Sequence, residues 1–202
     1  MSRPAQDLRV FADVDALATA AAAAFVDRVR RVVWARGRFT VALSGGRTPE
    51  PVYRRLAADY AETGPWPRVH VFFADERCVP HDDPASSYRL ARATWLDTVR
   101  LPDPNRHPVP TDRAHPDETA RAYESALRAF FGATPAFDLV WLGLGADGHV
   151  ASLFPNAPAL RVRARWAVAV TAPVPPRDRV TLTLPAINAA SEVWLVVTGA
   201  GK

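Results

Sequence analysis

Short apolar runs alternate with longer amphipathic ones along the whole chain. Residues 13–36 place Leu17, Ala21, Ala24, Phe25, Val29 and Val32 on one helical face, with Asp13 or Asp15 near the start and Gly37 just past the end. The run 38–43 reads as a strand cut off by Ser44-Gly45-Gly46, and 48–62 as a helix with Thr48 as N-cap and Pro49 at its first position. A second strand is expected at 68–74, and a helix over 83–96 capped by Asp83. Residues 100–116 are rich in proline and read as a surface connection. A helix over 116–132 turns Ala120, Tyr123, Leu127, Phe130 and Phe131 inward and ends at Gly132. The nearly unbroken apolar run 137–145 predicts a central strand. Strands at 165–172 and 179–184, a short helix at 185–190 and a last strand at 192–199 complete the pattern.

Strands and helices alternating at these lengths predict an α/β fold. Its core is a largely parallel twisted sheet with helices on both faces, Rossmann-like, forming a single domain over residues 1–202. Ligands of such sheets bind beyond the carboxyl ends of the strands. The polar residues that follow each strand are therefore the ones to read for chemistry.

Four such clusters stand out. "SGGRTPE" (44–50) offers the amides of Gly45 and Gly46 and the forked cation of Arg47, a setting for an anion, although Pro49 and Pro51 remove donors from the helix that follows. A tight turn that merely needs glycine would look the same. "DERCVP" (75–80) crowds Asp75, Glu76 and Arg77 at a strand end. It reads either as an ion pair at the sheet rim or as Arg77 binding an anion, oriented by Asp75 or Glu76. Cys78 beside them reads as a packing residue. "GLGADGHVASLFP" (143–155) leaves the sheet through glycines, sets Asp147 and His149 at the rim and then starts a turn of helix. A neutral imidazole there could take a proton from water, with Asp147 fixing or polarising the ring; a histidine with a purely structural partner is the alternative. "TGAGK" (198–202) repeats the glycine turn and offers Lys202.

Composition narrows the field. Apolar residues make up 49% of the 202 positions, enough for a real core. One cysteine excludes a disulfide framework, and no histidine pair has metal-ligand spacing, so no metal site and no cofactor are expected. The start of the chain shows no basic-then-apolar leader and no stretch reaches the ~20 apolar residues of a membrane span, so a cytoplasmic protein without membrane contact is expected. The net charge of +4 suits an anionic small molecule, and the scattered basic residues form no nucleic-acid stripe. Lys202 is the only lysine among 25 basic residues, as though a compact ammonium were needed there.

Taken together, "LSGGRTP" (43–49), "DER" (75–77) with "SSY" (86–88), "GLGADGHVASLFP" (143–155), "PRDRVTLTLPAINAA" (176–190) and "TGAGK" (198–202) resemble the 6-phosphogluconolactonases, in order and over essentially the whole chain. The resemblance implies a cofactor-free hydrolase of the pentose phosphate pathway, acting on 6-phospho-D-glucono-1,5-lactone; no nucleic-acid or membrane partner is expected, and the sequence leaves the oligomeric state open, with a monomer as the expectation. It implies His149 as general base with Asp147, and Ser44, Gly45, Gly46, Arg47, Arg77 and Lys202 around the substrate and its phosphate. The related glucosamine-6-phosphate deaminases/isomerases carry a glutamate before the proline where this chain has Phe154, and an Asp-Glu-Tyr type segment where it has "DER". Both differences favour the lactonase over the deaminase; a non-catalytic sugar-phosphate binding module is the other alternative. Family members usually continue past the "TG-x-x-K" segment, so a shortened carboxyl end is expected.

Overall fold

The computed structural model describes residues 7–199. Among the described residues seven strands form two sheets. The first joins β1 (Phe39–Leu43), β2 (Val69–Phe73), β4 (Leu139–Leu142) and β7 (Val193–Leu195) in the order β2-β1-β4-β7, and every pairing in it is parallel. This is the expected parallel sheet. The second joins β3 (Asp75–Arg77), β6 (Asp178–Leu182) and β5 (Ala167–Thr171), all antiparallel. The expected strands at 165–172 and 179–184 are thus present but pair with each other. The cluster "DER" is itself a strand rather than a rim loop.

Helix α1 (Val14–Arg36) begins where the Asp13 side chain accepts from the Ala16 amide at 2.8 Å, and it ends at Gly37. Its Phe25 packs on Phe39, Trp95 and Trp141. In the parallel pair β1–β2, Phe72 is level with Ala42, so it lies on the sheet face opposite to Phe39. There it meets Phe130 and Phe131 of α4 (Pro116–Phe131) and Phe137. Both faces of the central strands are therefore sealed by aromatic side chains, as the continuous apolar runs require. Tyr123 of α4 also grips the end of β2: its hydroxyl donates to the Phe73 carbonyl at 2.8 Å and accepts from the Phe73 amide at 2.9 Å.

Two helix starts differ from expectation. Helix α2 spans Glu50–Tyr60 with no side-chain cap; the Thr48 hydroxyl instead meets the Thr198 hydroxyl at 3.3 Å, joining the glycine turn to the segment that follows β7. Helix α3 begins only at Ser87 (Ser87–Ala91) and runs into a π-helical turn, Arg92–Leu96, followed by the turn Asp97. Asp83 closes a local turn onto the Ala85 amide, and Ser86 is the cap. Glu76, fully buried on β3, supplies what Asp83 does not: its carboxylate accepts from Ser86 Oγ and from the Ser87 and Tyr88 amides. Helix α5 (Leu184–Asn188) follows β6 directly. Among the described residues no helix is long and apolar enough to cross a membrane.

Candidate active site

The carboxyl ends of β1 and β4 and the small antiparallel sheet enclose an open cleft of about 190 Å³. Ser44, Gly45, Gly46 and Arg47 line one side and Gly143, Gly145 and His149 another, with Asp75, Arg77 and Arg179 between them. All the nominated residues except Asp147 and Lys202 line it directly. Asp147 meets it through His149, and Lys202 lies outside the described residues.

The His149 turn is built around one contact. Asp147 Oδ1 accepts from His149 Nδ1 at 2.5 Å and from the His149 amide at 3.2 Å. Gly145 donates its amide to the His149 carbonyl at 2.8 Å and accepts from the Gly148 amide, closing the loop. A Cβ on Gly145 would lie 2.1 Å from His149 Nδ1, so only glycine lets the imidazole and carboxylate fold back on the chain. The bond from the imidazole pulls the Asp147 carboxyl below its usual value. With Nδ1 committed to a carboxylate, Nε2 is the nitrogen left for chemistry. The expected helix after His149 is absent: Ala151 has φ 49° and residues 150–153 close a tight turn. That turn carries Phe154, 7% exposed, to within 4.7 Å of the His149 ring, the two planes tilted by 45°.

The "DER" strand resolves into three roles. Glu76 accepts from the Arg77 amide and caps α3, so it is structural; burial raises its pKa and its four donors oppose that. Asp75, also buried, accepts from Ser152 Oγ at 2.7 Å and faces the cleft. Neither carboxylate orients the Arg77 guanidinium, contrary to expectation; Nη1 donates to the Ala85 carbonyl at 2.6 Å and Nε has no partner among the described residues. Strand alternation points Glu76 away from the side that Asp75 and Arg77 share, and Asp75 on that side is engaged by Ser152 Oγ. Burial pushes the Cys78 thiol up to about 11, the behaviour of a packing residue.

Reading the sequence missed Arg179. It stands directly opposite Arg77 in the β3–β6 pair, is only 6% exposed, and its side chain makes one hydrogen bond among the described residues, from Nε to the Pro176 carbonyl. Burial first, then the Arg77 charge, lower its pKa from the usual value, with Asp75 opposing. Like charges placed directly opposite destabilise a sheet. Two guanidiniums held so at a cleft wall form a seat for an anion. The signal lay in "PRDRVTLTLP", but its partner is about a hundred residues away along the chain. On the other side, among the described residues, the Ser44 hydroxyl is buried without a partner and the Gly45 and Gly46 amides make no hydrogen bond. Among the described residues, no cluster of three metal-ligating side chains occurs.

The sequence profile described as glucosamine-6-phosphate isomerases/6-phosphogluconolactonase matches residues 12–202. A 6-phosphogluconolactonase of Synechocystis sp. is 47% identical over 87% of this chain and 72% of that protein. A 6-phosphogluconolactonase of Mycobacterium tuberculosis is 39% identical over 96% of this chain and 82% of its own. The crystal structure of the 6-phosphogluconolactonase from Thermotoga maritima superposes with a TM-score of 0.78 at 32% identity, covering 88% of this chain and 78% of that one. A protein with this sheet, this cleft and these relatives belongs to the glucosamine-6-phosphate isomerase/6-phosphogluconolactonase family.

Proposed function

We propose that the cleft hydrolyses 6-phospho-D-glucono-1,5-lactone to 6-phosphogluconate, and that His149 is the general base. The observation that carries this reading is the His149–Asp147 pair opening into the same cleft as three arginines and a turn of free amides. The phosphate rests on the Gly45 and Gly46 amides and Arg47, with Arg77 and Arg179 supplying positive charge across the cleft. Anchoring that distant dianion sets C1 of the lactone near His149 and turns a collision into an intramolecular step.

Water then attacks C1 while His149 Nε2 takes its proton. Asp147, accepting from Nδ1, stabilises the imidazolium that forms. The carbonyl oxygen becomes an oxyanion beside the cleft's guanidinium groups. As the intermediate collapses, the C1–ring-oxygen bond breaks, and the proton on Nε2 passes to the departing ring oxygen. The products are a carboxylic acid, ionised at neutral pH, and the freed hydroxyl. No serine nucleophile is needed: Ser152 is fully buried and engaged with Asp75.

Phe154 bears on the deaminase reading. Its apolar ring packs against His149 and beneath Arg179, where a deaminase would have a carboxylate. The reading also takes the chain as a single working unit, monomeric and cytoplasmic, whose only partner is the small phosphosugar lactone. The test is direct. Lactone generated from glucose 6-phosphate should vanish faster with the purified protein than without it, and 6-phosphogluconate should appear. Binding of 6-phosphogluconate with no turnover would mark a binding module instead, and ammonia released from glucosamine 6-phosphate would mark a deaminase.

A further inference from the structure

We infer that Tyr53, buried in the aromatic core and outside the cleft, is the positioning residue that aims the glycine turn at the substrate's anion. Tyr53 lies on the first full turn of α2, and its ring stacks on Trp95 at 5.8 Å and meets Trp141 edge-on at 5.9 Å. Its hydroxyl donates to the Ser44 carbonyl at 2.8 Å. That direction is forced, because a carbonyl only accepts, and complete burial raises the phenol's pKa so that the proton stays.

The consequence follows from peptide geometry. In a trans peptide the carbonyl of one residue and the amide of the next point in opposite directions. Drawing the Ser44 carbonyl toward the core therefore turns the Gly45 amide away from it, on the side of the cleft that Ser44, Gly45 and Gly46 line. A glycine peptide has little intrinsic preference between its two orientations, so something must choose. The second constraint is Ser87: a Cβ on Gly45 would lie 2.2 Å from its hydroxyl oxygen, so the turn is pressed against α3. Among the described residues the Gly45 amide has no partner, as a donor kept for a ligand would have none.

The inference takes its anion, the lactone's phosphate, from the proposed function, but the orientation of the turn is testable with inorganic phosphate alone. Two measurements on the full chain decide it. In the wild-type protein, titration with inorganic phosphate should shift the Gly45 amide resonance and slow its hydrogen exchange; a Gly45 amide that does not respond overturns the inference. Tyr53→Phe keeps the ring and deletes one neutral hydrogen bond. It should weaken phosphate binding by about three- to tenfold. KM for the lactone should rise by a similar factor, more than kcat falls. An unchanged phosphate Kd in a variant with native circular dichroism, or a loss confined to kcat, overturns it. A wild-type protein that binds phosphate through Gly45 but leaves the lactone intact would sink the lactonase reading and leave the role of Tyr53 standing.

Discussion

Two histidine sites in this molecule have opposite surroundings. His149 sits at the cleft, its Nδ1 held by Asp147 and its ring partly open to solvent. His70 and His107 meet on the far side of β2, Nδ1 to Nε2 at 3.2 Å. The His107 ring lies flat on Phe72 at 4.2 Å, and both rings touch Phe130. Burial pulls both of their pKa values below the usual histidine value, His107 to about 4, with the Arg38 charge adding to the effect on His70. A carboxylate on one nitrogen and open space at the other prepare an imidazole to move protons. Stacking among phenyl rings prepares it to stay neutral. The difference lies in what surrounds each ring, since the side chain is the same.

His149→Ala should lower kcat by about 10²–10⁴-fold with the fold intact, read as 6-phosphogluconate production in single-turnover and steady-state assays. Retained turnover would remove the cleft histidine from the chemistry. Gly145→Ala drives a methyl group into the imidazole and should cost about 100-fold in kcat, the scale of a misplaced catalytic group. Asp147→Asn should cost about tenfold in kcat, since it removes a charge-assisted hydrogen bond at an exposed site. Arg47→Ala should act mainly on KM, raising it about tenfold through loss of a phosphate contact; a loss in kcat instead would reassign Arg47.

The smallest effect on activity belongs to the other site. Because the folded protein holds His70 and His107 below the usual value, the unfolded chain binds protons first as pH falls. The stability carried by the neutral pair is whole above the ordinary value of 6.5 and drains as pH drops toward about 4. His107→Phe keeps the stack on Phe72 and removes that titration. Its melting temperature should fall less steeply than the wild type's between those pH values, while kcat stays close to wild type. An unaltered slope would mean that acid unfolding is governed elsewhere.

Local patterns were legible wherever short-range physics governs. Asp13 and Gly37 bound α1, and the apolar runs 38–43, 68–74 and 137–145 became β1, β2 and β4. The Asp147–His149 pair was legible for the same reason, since it is closed by contacts two residues apart; the glycine turn after β1 was legible from its residue types, but Tyr53 of α2 and Ser87 of α3 hold it in place. Legibility failed where a partner lies far along the chain. Asp83 looked like a helix cap because it precedes a proline, but Glu76 reaches the α3 amides from another strand and the helix starts later. Arg179 carried no mark of its own. Only the antiparallel register sets it beside Arg77, a pairing that no periodicity announces.

The chain by itself therefore determined the alternation of strands and helices, the sharp exits at strand ends, and a histidine held by a neighbouring carboxylate. Propensity, periodicity and turn chemistry act over a few residues, and they are written wherever those residues stand. The tertiary structure alone decided which strands pair, which carboxylate caps and which faces the cleft, and that two arginines a hundred residues apart share one wall. Those outcomes depend on packing and register between distant segments, where side chains meet through the fold and not through the order of the chain.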